Sequence, residues 1–465
     1  MISTLVFSLL GGAPWGADGA ASFPAPSQMP LPSWVNVDGI ETVLAEKHDT
    51  PLVTLAIAFP SGAYFDPPGK SGLANFVGDM LLRGTKTRTR AQIEEELDYL
   101  GASLGTDVGF QSFAMQGQVL SQNLVKLVEL IADVLQNPSF PPEEIEKLRS
   151  EDISQLYLKL EDDATLARIH FMRAVYKGHP YANDLDGTIK SLKSITREDV
   201  LAFYRAHIEK KGLIAGGAGD LTRAALTDIV RKLVAGLPEG SSEKKRIPFK
   251  GAVHGREIIL VDKPDRTQAQ FLIGEPSIDA NDPDFFPMVV FLTAFGGHMF
   301  QAQYMQEIRV KRGWSYGAYA SLDARRDGGS AFLYTFPATK DTIPALKLSL
   351  ELLDQAVSGD GLKDDAFEFA KNYLARSYPF MVDTPERVLS QVLTNRFLGR
   401  SDDYLQNYIS RIRAVTPKMA RSAARKHLET KNLVISILCT AKDFKDKIGK
   451  ELNAKKVTVV PYNDL

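Results

Sequence analysis

The chain carries the same order of sequence signals twice, and this repetition limits the possible fold more than any other feature. The segment SITREDVLAFYRAHI starts at Ser194 in the first half, and AVTPKMARSAARKHL starts at Ala414 in the second. In each segment a threonine precedes a helical pattern, as an N-cap does, and a strand-like run follows. These threonines, Thr196 and Thr416, are 220 positions apart, close to half of the 465 residues. The sequence therefore predicts a duplication that yields two similar domains.

The domain limits follow from the length and from one break in composition. A chain of 465 residues is too long for one ordinary core and predicts two or more domains of roughly 100–250 residues each. Residues 238–251, PEGSSEKKRIPFKG, have the Pro, Gly, Ser and charge content typical of a boundary. We therefore predict a signal segment with a Pro-rich linker over residues 1–34, a first domain over 35–237, a linker over 238–251 and a second domain over 252–465.

Strand and helix patterns are mixed within each half. Leu52–Phe59 and residues 270–274 read as strands at similar places in the two halves, whereas residues 123–135 repeat apolar side chains at helical spacing. Strands and helices do not alternate strictly, so a parallel doubly wound sheet is not indicated. Each half is predicted to be α+β, a largely antiparallel sheet with helices on one face. GGAGD at Gly216 is predicted to be a turn at a strand end and not a phosphate-binding loop.

The amino terminus has the pattern of an export signal. Residues 2–10 are apolar, and small residues follow as far as Ser22, as before a signal peptidase cleavage site. The run is too short for a membrane-spanning helix, which needs roughly 20 residues. The first basic residue is only Lys47, so a start further upstream or a flexible tail are the alternatives. We expect a periplasmic or secreted protein without a stable membrane span, and a cytoplasmic protein is the alternative.

Charge and cysteine content exclude two classes of site. Lys and Arg number 55 and Asp and Glu number 57, which gives a formal net charge of −2. A chain without a basic excess does not favour nucleic acid as a partner. Cys439 is the single cysteine, which excludes intramolecular disulfides and zinc sites built from several cysteines.

Residues 72–85 read GLANFVGDMLLRGT, and this segment resembles the inverted zinc-site helix of the pitrilysin/insulinase metallopeptidases, which include mitochondrial processing peptidase. The family pattern is G-x-A-H-x-x-E-H-M-x-x-x-G-T, and its Gly, Ala, Met, Gly and Thr positions match in register. The positions that carry chemistry differ. Asn75 replaces the first histidine, Gly78 the glutamate and Asp79 the second histidine. The family's third ligand, a glutamate further along the chain, aligns with Leu156.

These replacements remove both the zinc ligands and the catalytic base. Two imidazoles at i and i+4 lie on one helix face and hold one zinc ion, while the glutamate between them deprotonates the bound water. Asn75 offers only a neutral amide, Asp79 offers one carboxylate, and Gly78 has no side chain. The two histidines closest in sequence, His170 and His179, are nine positions apart and form no pair at helical spacing. We expect no catalytic residue, metal or cofactor in this chain.

The second half keeps a different signature. FGGHMFQAQYMQEIRVKRGWSYGAYASL starts at Phe295 and resembles the family's glycine turn, helix and R-x-K-R-G-x-x-Y segment. Arg309 and Tyr316 match the Arg and Tyr that, in family members, bind the peptide substrate across the cavity from the zinc. A guanidinium offers a fixed fork of donors to carbonyl or carboxylate oxygens, and a phenol adds one directional hydrogen bond. Without the resemblance, the pair would be interpreted as an arginine on a solvated helix end and a tyrosine at the start of a strand.

The resemblance implies a half-shell of two similar domains that closes with a second chain around a peptide chamber. We interpret the chain as the non-catalytic, substrate-binding subunit of a heterodimeric zinc metalloendopeptidase, with zinc carried by a homologous partner subunit. One alternative is a structural or assembly protein with no role in proteolysis, as in the related core subunits of a respiratory complex. A further hypothesis is a divergent enzyme that uses Asp79 with ligands from elsewhere. The choice between a homodimer and a heterodimer stays open.

Overall fold

The structure is built on two six-stranded sheets, one from each half of the sequence. The computed structural model describes residues 31–240, 246–359 and 361–464. The predicted signal segment falls almost entirely in residues 1–30 and so lies outside the described residues. The first sheet contains β1 (Ser33–Val37), β2 (Ile40–Glu46), β3 (Leu52–Phe59), β4 (Ser103–Val108), β5 (Phe113–Leu120) and β6 (Ile214–Gly219). The second contains β7 (Glu257–Asp262), β8 (Gln270–Ser277), β9 (Ala318–Arg325), β10 (Gly328–Thr335), β11 (Val434–Cys439) and β12 (Lys456–Pro461).

Helices connect and cover the strands. Those of the first half are α1 (Leu73–Leu81), α2 (Arg90–Leu100), α3 (Leu124–Gln136), α4 (Pro142–Lys159), α5 (Asp163–Val175), α6 (Ile189–Ser194), α7 (Arg197–His207) and α8 (Arg223–Val234). Those of the second half are α9 (Phe285–Gly296), α10 (Gln303–Met305) with the π-helical turn Gln306–Val310, α11 (Thr342–Ser358), α12 (Asp364–Ser377), α13 (Pro385–Leu398), α14 (Tyr404–Ala414), α15 (Pro417–His427) and α16 (Ile448–Glu451). Within the described ranges, none of the helices has the length and apolarity needed to cross a bilayer.

The two sheets share the arrangement of five strands. The orders are β1-β2-β6-β3-β5-β4 and β12-β7-β11-β8-β10-β9. Strands β2 and β6 pair in parallel, as do β7 and β11, and the strands that follow in each sheet pair antiparallel. Only the outermost strand differs, because β1 pairs antiparallel with β2 whereas β12 pairs parallel with β7. The predicted α+β fold with two homologous domains is confirmed, while the domain limits at residues 237 and 252 stay predictions.

Local sequence signals set the repeated helices. Thr196 caps α7 by accepting a hydrogen bond from the backbone N–H of Asp199 at 3.2 Å, and Thr416 caps α15 in the same way with Met419 at 3.2 Å. A side-chain oxygen at the N-cap satisfies an N–H group that has no intrahelical partner. The two threonines that revealed the duplication are therefore equivalent caps in the two domains.

The two halves pack together because a helix of each half covers one face of the other half's sheet. Alternating side chains give each strand two faces, and one face of each sheet packs on helices of its own half. On the opposite face of the first sheet, Leu389 of α13 packs with Ala56 and other small side chains. On the opposite face of the second sheet, Phe171 of α5 packs against Phe332, with ring centroids 5.6 Å apart. Each sheet is thus covered on both faces, once by its own half and once by the other.

Gly216 leaves room for this contact between the two halves. It lies within the central strand β6, which ends at Gly219. The run predicted as a strand after Thr196 is therefore a strand, and only the last residue of GGAGD leaves the sheet, where the turn at its end was predicted. A Cβ atom at Gly216 would lie 2.4 Å from Leu389 Cδ1, which is closer than packed carbon atoms approach one another. Glycine therefore leaves the space into which the leucine of α13 fits.

Candidate functional site

Helix α1 carries three of the four positions at which the family pattern places zinc ligands and base. Its N-cap, Gly72, adopts the left-handed conformation with φ 89°. The Asp66 carboxylate accepts hydrogen bonds from the N–H groups of Gly72 and Ala74, each at 2.8 Å. These bonds satisfy donors that the first helical turn leaves free. The side chains that bury the helix in the first-half core are Leu73, Phe76, Val77, Met80 and Leu81.

Gly78 stands where the family has its catalytic glutamate, and the structure gives this glycine a packing role. Helix α1 packs against the edge strand β4. A Cβ atom at Gly78 would lie 2.9 Å from Thr106 Oγ1 and 3.1 Å from Val108 Cγ2. A side chain at this position would force the side chains of Thr106 and Val108 to shift, since a packed interior leaves little room for such close contacts. Side chains of the edge strand β4 therefore occupy the space that the Cβ atom of a glutamate at position 78 would need.

Asp79 has a second carboxyl nearby, Asp152 of α4, which the sequence analysis missed. Burial raises the pKa of Asp79 above its ordinary value. Burial, and then repulsion by the charge of Asp79, raise the pKa of Asp152 to about 7. The positive charge of Arg83 opposes both shifts. The ionised forms of the two carboxyls therefore disfavour each other where helices α1 and α4 pack together.

Leu156, the position of the third ligand, contributes only to packing. Its side chain is 2% exposed and belongs to the apolar core of the first half. Asp152 precedes it by four residues and so lies on the same face of α4. That spacing is the signal that could have directed attention to Asp152, one turn before the aligned ligand position.

The residues at α1 do not fit a zinc ion. Protein zinc sites bring together at least three nitrogen, sulfur or oxygen donors, usually imidazoles or thiolates, whereas α1 offers one neutral amide and the carboxylate of Asp79, to which α4 adds only the carboxyl of Asp152. Among the residues that the structure describes, one group of three donors within 4.8 Å of one another is found, in the second half: Asp282, Asp284 and His427. Lys426 Nζ lies 2.7 Å from Asp284 Oδ2 and already supplies positive charge there. The hypothesis of a divergent enzyme built on Asp79 thus finds no ligand set at α1.

Arg309 and Tyr316, which the sequence analysis paired, contact each other. Arg309 lies in the π-helical turn after α10, where the N–H of Lys311 donates to the carbonyl of Gln306 at 2.9 Å. Single π turns of this kind are frequent at functional sites. The guanidinium carbon of Arg309 lies over the Tyr316 ring, 3.9 Å from its centroid, which is a cation–π contact.

Both side chains keep their hydrogen-bonding groups available. The neighbouring cations Lys311 and Arg312 each pair with Glu307 at 2.6 Å. The Arg309 guanidinium, by contrast, has neither an ion pair nor a hydrogen bond with any residue in the described ranges. Tyr316 is 72% exposed. The donors of Arg309 and the phenol of Tyr316 are therefore accessible to a ligand.

Phe300 is the third member of this cluster, and sequence reasoning missed it. Its ring centroid lies 4.8 Å from the Arg309 guanidinium carbon, and the side chain is 52% exposed. Its carbonyl accepts a hydrogen bond from the Gln306 side chain, which ties the turn after α9 to the π-helical turn. No periodic pattern links positions 300 and 309, because residues 297–302 are not helical. Only the folded turn brings the ring to the arginine.

The predicted site residues thus form two groups on different domains. Asn75, Gly78, Asp79 and Leu156 lie on α1 and α4 of the first half, whereas Arg309 and Tyr316 lie beside β9, at the edge of the second sheet. The first group lacks ligands for a metal, and the second offers donors to an anionic or carbonyl oxygen.

Comparison with known proteins connects both halves to one family. Residues 41–189 match the model described as insulinase (peptidase family M16), and residues 194–374 match the model described as peptidase M16 inactive domain. An uncharacterized zinc protease of Rickettsia bellii is 28% identical over 278 residues, which are 60% of this chain and 66% of that protein, just under two thirds of its length. The non-peptidase homolog YmxG of Helicobacter pylori is 23% identical over 418 residues, 89% of this chain and 94% of that protein.

A solved structure supports the same relationship at the level of the fold. The crystal structure of a peptidase M16 inactive domain from Pseudomonas fluorescens has a TM-score of 0.81 and 22% identity, and the match covers 92% of this chain and 98% of that chain. Two matching family models, a shared fold and the register of residues 72–85 agree. The chain belongs to the insulinase family, peptidase family M16, as a member without the H-x-x-E-H zinc ligands.

Proposed function

We propose that this chain is the non-catalytic, substrate-binding subunit of a heterodimeric zinc metalloendopeptidase that degrades or processes peptides. A homologous partner subunit carries the zinc and the base. The observation that supports this role is the Arg309–Tyr316 contact, in which an arginine that pairs with no carboxylate of the described residues lies beside an exposed phenol.

The position of the pair suits an extended peptide. Tyr316 lies two residues before Ala318, the first residue of β9, which is an edge strand in the sheet order of the described residues. An extended peptide can add to such an edge through its backbone hydrogen bonds. Arg309 and Tyr316 would then hold peptide oxygens at the start of the added strand. The chain's own residues bind and orient, and the hydrolytic step belongs to the partner.

The test is reconstitution of a pair. The purified chain is mixed with a homologous M16 chain that has an intact H-x-x-E-H, and cleavage of a fluorogenic peptide is measured. We expect the mixture to cleave faster than the zinc-bearing chain alone. Arg309→Ala should lower kcat/KM by about tenfold or more, because hydrogen bonds from a charged donor are worth about 1.5–3 kcal/mol.

Lys311→Ala is the matched control. Lys311 is two residues from Arg309 and equally cationic, but its ammonium is paired with Glu307. Its removal should leave the cleavage rate within about twofold, because exposed ion pairs contribute little. If Arg309→Ala and Lys311→Ala behave alike in a mixture that does cleave, the proposed role of Arg309 is wrong.

The location of this pair is proposed to be the periplasm or the exterior, on the pattern of residues 2–22. The mature protein recovered from a cell fraction can be sequenced from its amino terminus. A start after Ser22 in the periplasmic fraction supports export, whereas an intact Met1 in the cytoplasmic fraction contradicts it.

A structural or assembly protein is the second candidate, and the likeness to a relative named as a non-peptidase homolog favours it. This function needs no peptide binding. It predicts that mixing forms a stable complex of the two chains without any rise in cleavage. Size-exclusion chromatography and the peptide assay on one sample distinguish the two candidates.

A further inference from the structure

We propose that Phe300, Arg309 and Tyr316 together form a carboxylate-binding site, in which Phe300 positions the guanidinium for an acidic group of the bound peptide. This inference rests on the proposed peptide-binding function and names the chemistry that the site selects. It adds a residue, Phe300, that neither the pattern nor the spacing of the sequence indicated.

The guanidinium of Arg309 makes cation–π contacts with two aromatic rings. The guanidinium carbon of Arg309 lies over the ring of Tyr316 at 3.9 Å and over the ring of Phe300 at 4.8 Å, measured to the ring centroids. A cation–π contact uses the flat face of the guanidinium, whereas its N–H bonds lie in the plane. The rings therefore restrict the orientation of the group and leave its in-plane donors for a ligand.

Within residues 31–240, 246–359 and 361–464, no carboxylate pairs with these donors. Glu307, in the same π-helical turn, is paired with Lys311 and Arg312 and does not reach Arg309. Within the described ranges no other carboxylate forms an ion pair with Arg309. The Arg309 side chain is partly buried, contacts two rings and has no counter-ion among the described residues, and such a guanidinium suits an external anion.

The shape of the donors favours a carboxylate over a neutral carbonyl. A guanidinium donates two parallel N–H bonds to the two oxygens of a carboxylate, and hydrogen bonds between two charged groups are about twice as strong as neutral ones. The phenol of Tyr316, exposed beside the arginine, can donate a further bond to the same group. Either the terminal carboxylate of a peptide or an aspartate or glutamate side chain supplies this chemistry.

Phe300 acts through Arg309 and is a positioning residue. Its carbonyl is bonded to the Gln306 side chain, so its ring is carried by a turn that is fixed to the turn carrying Arg309. Its half-exposed ring makes no demand on the core. An aliphatic replacement would keep the bulk and remove the aromatic face.

The experiment measures binding of fluorescein-labelled decapeptides of Leu, Ala and Ser to the isolated chain by fluorescence anisotropy. One peptide pair differs only in a terminal carboxylate against a terminal amide. The second pair has an amidated terminus and differs in one central Glu against Gln. We expect at least one carboxylate peptide to bind about tenfold or more tightly than its neutral counterpart. The pair that shows the preference identifies the source of the carboxylate.

Variants connect the preference to the three side chains. Arg309→Gln should abolish it, and Arg309→Lys should reduce it, because an ammonium cannot form the paired bonds. Phe300→Leu should reduce the preference by about threefold, whereas Phe300→Tyr should keep it, since the aromatic face is what matters. Lys311→Gln should leave it unchanged. Retention of the wild-type thermal midpoint shows that each variant is folded.

Equal affinity for all four peptides, or no binding of any of them, overturns the carboxylate site. A preference that survives Arg309→Gln also overturns it, because the charge would then be recognised elsewhere. Equal effects of Phe300→Leu and Phe300→Tyr overturn the role of Phe300. The proposed subunit function fails on a different result, namely the absence of any rise in cleavage when the two chains are mixed.

Discussion

Leu389 of the second half fits against Gly216 of the first, so closely that a Cβ atom on the glycine would lie 2.4 Å from the leucine Cδ1. The contact joins α13 to the central strand β6. The reciprocal contact is made by α5 on the second sheet. Because each half buries a helix of the other, we expect the halves to be stable together and not as independent units.

Gly216→Ala should destabilise the protein by about 1–3 kcal/mol, the usual effect of adding a methyl group to a filled core. The measurement is the midpoint of urea unfolding. Leu389→Ala alone should cost about 2–5 kcal/mol through the cavity that it leaves. In the double variant the added methyl group lies in that cavity, so the loss should be smaller than the sum of the single losses. Additive losses would mean that the two residues do not share this space.

Gly78→Ala should also destabilise the chain, by about 1 kcal/mol, although alanine is the better helix former. The reason is the approach of Thr106 Oγ1 and Val108 Cγ2 to within about 3 Å of the added atom. Gly105→Ala is the control on the neighbouring strand, because nothing lies within 4 Å of its Cβ position. Thermal melts of both variants are compared, and a loss at Gly105 as large as at Gly78 would contradict the explanation.

The free energy of unfolding should fall as the pH rises from about 4 to about 7, because of Asp152. Burial and Asp79 raise the pKa of Asp152 in the folded protein to about 7, above its value in the unfolded chain. The unfolded state therefore loses the proton first as the pH rises, and the folded state becomes relatively less stable until the pH passes 7. Asp152→Asn removes this titration. Its melting temperature should exceed that of the wild type at pH 8 and approach it at pH 4, a gain on the order of 1–2 kcal/mol at the higher pH.

Glu151→Gln serves as the control for the pH experiment. Its hydrogen bond with Arg83 lowers the pKa of Glu151, so folding favours its ionised form. Replacing it should bring no gain in stability at pH 8. If Glu151→Gln and Asp152→Asn raise the melting temperature equally, the cause is general negative charge and not the burial of Asp152.

Tyr316→Ala should impair peptide cleavage by the reconstituted pair more than Tyr316→Phe. Phenylalanine keeps the ring that lies 3.9 Å from the Arg309 guanidinium carbon and loses only the hydroxyl. Alanine removes both, so Arg309 loses one of its two aromatic contacts. We expect a fall in kcat/KM of about threefold for Tyr316→Phe and about tenfold for Tyr316→Ala. Equal falls would show that the hydroxyl alone matters.

Much of the fold could be predicted because its signals are short-range. Helix caps at Thr196 and Thr416 act within one turn, and alternation identifies a strand such as Phe113–Leu120 over a few residues. The loss of the zinc ligands at α1 is likewise a matter of residue identity. The sequence pairs Arg309 with Tyr316 seven positions later, and in the structure the two side chains contact each other. A helical turn and a short loop are enough to bridge that separation.

Other features depend on segments that are distant in the sequence. The role of Gly216 depends on Leu389, and that of Gly78 on Thr106. The raised pKa of Asp152 depends on Asp79, one helix away. No local pattern records such contacts, because they arise only when separate helices and strands pack together.

The sequence by itself determined that two similar α+β domains form, that α1 lacks zinc ligands and that an arginine and a tyrosine recur at the family's spacing. Residue chemistry, capping and periodicity are properties of short segments, and they need no knowledge of packing. Only the tertiary structure shows that α13 of the second half covers the first sheet and α5 of the first half covers the second sheet. It alone also brings the Phe300 ring into contact with Arg309. Close packing sets these contacts, since each pair of surfaces fits only where the whole chain brings it together.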